Sequence, residues 1–285
     1  MFAFIWGAIW GSFSNVVIYR LPAGKNIAWP PSHCYSCKHN LGAIDNIPIL
    51  SYIFLLGKCR HCGASFSSRY AVIELISGII SLGIFLLYRT LPFQNFLTSF
   101  AVTFTFFQTL IILSFIDWDT FILPDLLVFP LILLGISWGF YTRGLTMTLV
   151  GLFSGSGLFI MITLYYRYIR KKEGLGLGDA KLLAAIGAFG GPFIIFPVIL
   201  LASIQGLIFA ALAFIFRISW PDPGIYVGIT DSENDEFDEV IDNKGKWTLK
   251  PLPFGPFLSI STIEAVLLST SLLVPFLNFF NIPTA

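Results

Sequence analysis

Two sets of residues have types and spacings that could do chemistry. The first is the four cysteines, Cys34-Tyr-Ser-Cys37 and Cys59-Arg-His-Cys62, two Cys-x-x-Cys pairs with 21 residues between them. Each pair can turn two thiolates toward one ion, and two such pairs complete a tetrahedral four-sulfur zinc site. Two disulfides are the alternative use of the same residues. A site with four cysteine ligands has no open position for water or substrate, so the metal would be structural. Gly63, just past the second pair, suits a tight turn. His33, His39 and His61, the only histidines, lie in the same stretch as supporting or replacement ligands, or simply as solvated loop residues.

The second set is carboxylates inside or beside apolar runs, where an ionisable group is costly and its presence points to function. These are Asp117, Asp119, Asp125, Asp179 and Glu264, with Glu74 near the start of another apolar run. Asp117 closes the run Phe115-Ile116, and Pro124-Asp125 opens the next one seven residues later. Asp179 follows Gly174-Leu-Gly176-Leu-Gly178, and glycines beside a carboxylate let a peptide backbone or a neighbouring helix approach it. Two carboxylates brought together at a partly dehydrated place cannot both ionise cheaply, so the pair shares a proton and can act as an acid and a base in peptide hydrolysis. Asp119 and Asp125 read more simply as interfacial or helix-capping residues, Glu74 as a cap or ion-pair partner, and Glu264 as a structural or substrate contact. There is no His-Glu-x-x-His and no Gly-x-Ser-x-Gly to supply a competing hydrolytic set.

The elements that must hold these groups follow from composition. The 285 residues are 56% hydrophobic and only 12% charged, which excludes an ordinary soluble enzyme, a disordered chain and a nucleic-acid-binding protein. Apolar runs at about 2–19, 70–88, 97–116, 121–140, 147–166, 181–189, 192–216 and 257–279 predict an all-α polytopic membrane protein of about eight transmembrane helices with a zinc-ribbon-like loop. If all eight cross, 15 of the 17 Lys and Arg fall on one side and only Arg89 and Arg143 on the other, which makes the basic loops cytoplasmic. In a reducing cytoplasm the four cysteines are metal ligands in preference to disulfides. The expected organisation is a first transmembrane helix at 1–19, a cytoplasmic four-cysteine loop at 20–69, and a membrane core at 70–216 carrying both aspartates. An acidic cytoplasmic loop at 217–256 and a last helix with the C-terminus at 257–285 complete the chain.

Taken together, the motifs resemble the type IV prepilin peptidase family. The matching blocks are Gly11-Ser-Phe-Ser-Asn15-Val-Val-Ile-Tyr-Arg20-Leu-Pro22, the paired cysteines, Arg69-Tyr-Ala-Val-Ile-Glu74, Asp117-x6-Pro124-Asp125, Gly176-Leu-Gly178-Asp179-Ala-Lys181 and Pro253-Phe-Gly-Pro256. The resemblance implies that Asp117 and Asp179 are the catalytic pair, with Asp119 as the fallback for the first, and that Pro124, Gly176, Gly178 and Lys181 support the catalytic loops. It implies a protease in the bacterial inner membrane that removes a basic leader, at the cytoplasmic face, from prepilins or type II secretion pseudopilins with a hydrophobic N-terminal helix. It further implies N-methylation of the new terminus with S-adenosylmethionine. Membrane lipid is an expected partner and nucleic acid is not.

The stretch 220–250 departs from the family pattern, with eight of the sixteen acids concentrated there. Its composition reads as a solvated, mobile insert, or as a negative field that recruits the basic leader. Two other classes remain at this point: a different Gly-x-Gly-Asp intramembrane protease, and a transporter using the membrane acids as an ion relay.

Overall fold

The computed structural model describes residues 1–165, 168, 176–216 and 252–268. The acidic insert, the basic cluster at 167 and 170–172, and the chain beyond 268 lie outside the described residues, as do the readings made of them. The described residues are helical, with isolated bridges but no strands.

Three helices build the N-terminal side. Helix α1 (Phe2–Arg20) and helix α3 (Arg69–Tyr88) pack against each other, and helix α4 (Phe93–Thr120) crosses both. Between helices in lipid there is little hydrophobic drive, so association depends on close packing and hydrogen bonds. Gly7 and Gly11, four residues apart on one face of α1, supply the first: a Cβ on Gly7 would run into the Ser77 carbonyl, and one on Gly11 would sit 2.7 Å from Glu74 Cα. Gln108 of α4 supplies the second, donating to Ser14 Oγ at 2.7 Å and Ser77 Oγ at 3.0 Å. One side chain thereby ties the three helices.

The other side has helices α5 (Asp125–Arg143), α6 (Leu145–Tyr165), α7 (Leu177–Gly190), α8 (Ile195–Phe216) and α9 (Gly255–Leu268). Here contact is backbone to backbone: a Cβ on Gly151 of α6 would strike the Gly187 carbonyl of α7, and the reverse holds for Gly187. Arg143 closes the C-terminal end of α7 by donating to the carbonyls of Ala188 and Phe189. Phe106, Phe107, Leu110 and Leu113 of α4 are buried between the two sides, which makes α4 the central helix.

Among the described residues, six helices are long and apolar enough to span a membrane: α1, α3, α4, α5, α6 and the segment Pro192–Phe216 that contains α8. The other two expected spans are also helical where described. Helix α7 has 14 residues, about 21 Å, short of a bilayer core of about 30 Å, and the described part of α9 ends at 268.

Two boundaries move from where composition puts them, and both matter to the site. Helix α4 runs to Thr120 where the expected span stops at Ile116, because Asp117 and Asp119 point to opposite sides of a helical turn and each finds a partner. Phe121 then takes a left-handed conformation, φ 55°, and residues 122–124 form a link, so α5 begins at Asp125 and not at 121. Helix α7 starts at Leu177, ahead of the expected 181, with Gly176 at its N-cap and Asp179 in its first turn.

The four-cysteine loop joins α1 to α3 and contains a 3-10 turn at Ile44–Asn46 and one short α-helix, α2 (Leu50–Phe54). Each cysteine pair is a tight knuckle: Cys34 N–H donates to His39 O and Lys38 N–H to Cys34 O, while Cys59 N–H donates to Ala64 O and Gly63 N–H to Cys59 O. Both knuckles turn through a positive φ four residues after the first cysteine, 71° at Gly63 and 59° at Lys38.

Candidate active site

Asp117 is 5% exposed, in the last turn of α4. Its Oδ2 accepts the backbone N–H of Gly255 at 3.1 Å, the first residue of α9 and 138 positions away. A helix N-terminus offers unpaired N–H groups and a partial positive charge, so α9 is well placed to hold a carboxylate. A Cβ on Gly255 would lie 2.6 Å from that same Oδ2, so the glycine is what lets the oxygen in. Asp179, partly buried, lies within electrostatic reach of Asp117. The end of α4 and the start of α7 thus each carry one of the two carboxyls, with the start of α9 against Asp117.

The neighbouring acids are engaged elsewhere. Asp119 receives both guanidinium nitrogens of Arg69, at 2.9 and 2.6 Å, and Arg69 also donates to Phe115 O and lies over the Phe115 ring. Asp125 pairs with Lys181 Nζ at 2.6 Å, joining α5 to α7 two residues beyond Asp179. Of these two acids, expected as interfacial residues or helix caps, neither serves as a cap: Pro124 is the N-cap of α5, and its carbonyl accepts the N–H groups of Leu127 and Val128.

The two glycines beside Asp179 differ. A Cβ on Gly178 would press on Leu123 of the α4–α5 link at 3.1 Å, so this glycine lets the link approach. A Cβ on Gly176 would make only ordinary contact, 3.7 Å from Asp179 Oδ2. Glu264 accepts a hydrogen bond from Gln205 Nε2 at 2.6 Å, joining α9 to α8. Glu74 neither caps α3 nor pairs with a cation: it reaches into the loop and accepts the Ile49 N–H at 2.7 Å.

Gly255 and Arg69 are the contributors that sequence reasoning quoted without assigning a role. The signal for Gly255 was present as a Phe-Gly-Pro at the start of an apolar run, which fits a helix N-terminus with room for a neighbour. Arg69 carried no such signal, since its partner is 50 residues away.

The four Sγ atoms all lie within 4.8 Å of one another, with Cys34 to Cys62 at 3.7 Å and Cys37 to Cys59 at 4.0 Å. A tetrahedron with metal–sulfur bonds of 2.3 Å has edges of about 3.8 Å, so the cluster is close enough to bind a metal. A disulfide would need about 2.05 Å. The Cys37 backbone N–H is the largest influence drawing the Cys34 thiol down to about 6, toward the thiolate that a metal requires. Arg60 Nε reaches Asp45 at 2.8 Å and ties the second knuckle to the intervening chain. His39 and His61 stand ring to ring, 3.6 Å between centroids, one from each knuckle region.

An all-helical multi-pass membrane protein with paired carboxylates at helix ends and a four-thiol loop is the class that fold and site define. Residues 5–88 match the bacterial peptidase A24 N-terminal domain, and residues 102–211 match the type IV leader peptidase family. A prepilin leader peptidase/N-methyltransferase of Dichelobacter nodosus is 32% identical over 280 residues, covering 88% of this chain and 85% of the relative. A namesake in Burkholderia pseudomallei (strain K96243) is 32% identical over 286 residues, 90% and 82% of the two chains. One in Dickeya chrysanthemi is 36% identical over 227 residues, 70% and 78%. The chain belongs to the type IV leader peptidase family. No solved structure matches it.

Proposed function

We propose that this protein is an aspartic endopeptidase of the bacterial inner membrane. It removes the basic leader of type IV prepilins or type II secretion pseudopilins at the cytoplasmic face, and then N-methylates the new terminus. Asp117 and Asp179 are the pair that acts. One takes a proton from the attacking water while the other donates to the scissile carbonyl oxygen, and Gly255 N–H holds Asp117 in position. The observation that carries this reading is the convergence of Asp117, Asp179 and the start of α9, while Asp119 and Asp125 are occupied by ion pairs. The cytoplasmic assignment rests on the basic residues collected by the same loops.

The metal of the four thiols is zinc with a structural role, since a closed four-sulfur set admits no substrate. Methylation is supported by the names that the relatives carry. S-adenosylmethionine would supply an electrophilic methyl group on a sulfonium, and a carboxylate among aromatic rings is the kind of place that fits such a cation.

The test is cleavage of a purified prepilin by wild type and by Asp117→Ala, Asp119→Ala and Asp179→Ala. Loss with Asp117→Ala and Asp179→Ala but retained cleavage with Asp119→Ala is the expected pattern. Cleavage by all three variants would overturn the aspartic mechanism.

A further inference from the structure

The loop between α1 and α3 carries an apolar surface of its own. Residues 43–57 hold a single charged residue, Asp45, which Arg60 neutralises at 2.8 Å. Along this segment Ile44, Ile47, Leu50, Ile53, Phe54 and Leu56 are all exposed, Phe54 by 80% and Leu56 by 82%. Single exposed apolar residues are normal on a surface facing water, but six within one short segment make a patch that calls for a partner.

Helix α2 shows which way the patch faces. Leu50, Ile53 and Phe54, three and four residues apart, share its outer side, while Ser51 and Tyr52 line the cavity between this loop, the end of α1 and the start of α3. That cavity is also walled by Asn15, Arg20, Lys58 and Glu74, so the polar side of α2 faces inward and the apolar side outward. Such an arrangement is inverted for a helix in water and fits one lying against hydrocarbon.

One hydrogen bond sets the depth of the segment. Ile49 N–H, immediately ahead of α2, donates to Glu74 Oε2 at 2.7 Å. Glu74 is the sixth residue of α3, about 7.5 Å along the axis from its start. With 20 residues, α3 is about 30 Å long and needs its whole length to cross a bilayer core. Helix side chains lean toward the N-terminus, so the Ile49 amide lies level with the first two turns of α3 and not beyond its end. At this level α3 has its own outward apolar side chains, Val72 and Leu75, exposed on either side of Glu74 in the sequence. The patch therefore continues a surface that a membrane-spanning helix presents to lipid. Its backbone suits the same surroundings, because the N–H groups of Ser51, Leu55 and Gly57 are taken by the carbonyls of Ile47, Ser51 and Tyr52.

We propose that residues 44–56 form an interfacial wedge, with Leu50, Ile53, Phe54 and Leu56 inserted among the lipid acyl chains of the leaflet on the loop's side of the membrane. The wedge lies between the two cysteine pairs, so it anchors the four-cysteine loop at its middle as α1 and α3 anchor it at its ends. Insertion to about 5–10 Å is what an apolar helix face at the headgroup boundary reaches, and the level of the Ile49 amide agrees with it.

The experiment is photo-crosslinking of the purified full chain in vesicles of phosphatidylethanolamine and phosphatidylglycerol, with p-benzoylphenylalanine replacing one residue at a time. Phe54 and Leu56 are the test positions, Ile9 on the exposed side of α1 is the lipid reference, and Lys38 in the first knuckle is the water reference. Each variant is first shown to melt as wild type does, and Leu50 takes the place of a test position that fails. Lipid adducts at Phe54 and Leu56, read by peptide mass spectrometry, should come within about twofold of Ile9 and exceed Lys38 by at least about tenfold. Adducts at the Lys38 level overturn the wedge. So does an adduct of dimer mass, which would make the patch a contact between copies, and so does replacement of the lipid adduct by a pilin adduct on adding prepilin, which would make it a docking face for substrate.

Discussion

The four-cysteine loop and the carboxylate pair are built in opposite ways. The loop's ligands come in two local pairs, each fixed by hydrogen bonds no more than five residues apart, and a metal needs only that the two knuckles meet. The carboxylate pair is assembled from α4, α7 and α9, and its Gly255 to Asp117 bond spans 138 residues. A local site can keep its shape while the membrane core loosens; a site at the meeting of three helices cannot.

The largest effect that tests this contrast comes from the acids themselves. Asp179→Asn should lower prepilin cleavage by about 10³-fold with metal content unchanged, whereas Cys34→Ser should release metal and expose the loop to protease without lowering the melting temperature of the helices. Parallel cleavage, metal and melting measurements would show both, and loss of metal in Asp179→Asn would break the contrast. Next, Gly151→Val should destabilise the core by about 3 kcal/mol, because its side chain has only the Gly187 backbone to enter. A detergent melting curve should fall while metal stays bound.

Gly255→Ala should cost about 2 kcal/mol of transition-state stabilisation, roughly thirtyfold in kcat/KM, since its Cβ would displace the Asp117 oxygen from the N–H that holds it. Lys38→Gly should sharpen the contrast from the other side. It relieves a left-handed lysine and should stabilise the first knuckle by about 1 kcal/mol, read as tighter metal retention against a chelator. The smallest effect is Asp119→Asn. Its ion pair with Arg69 is partly exposed, and losing it should cost about 1 kcal/mol or less in stability, with cleavage kept.

Much of this was legible before any coordinates. Each of the eight apolar runs coincides with a helix over most of its described length, because a chain in lipid must satisfy its backbone within the segment. The cysteine pairs and Gly63 announced the four-thiol cluster for a similar reason, since spacing over four residues already dictates where two sulfurs can point. Lys38 was not legible, because nothing in a lysine signals a left-handed turn; only its likeness to Gly63 in the folded knuckle reveals it.

Choosing among the acids needed the fold. Asp117, Asp119 and Asp125 are alike as sequence, three aspartates beside apolar runs, and the glycines near Asp179 look equivalent. The structure separates them by partners: Arg69 and Lys181 neutralise two of the acids, α9 receives the third, and Leu123 presses on Gly178 but not on Gly176. By itself the sequence determined the membrane helices and the thiol set, because those depend on composition and short-range spacing. Only the tertiary structure decided which acids are taken up by ion pairs and which one the start of α9 receives, because both depend on contacts between residues distant in the chain, which helix packing alone brings together.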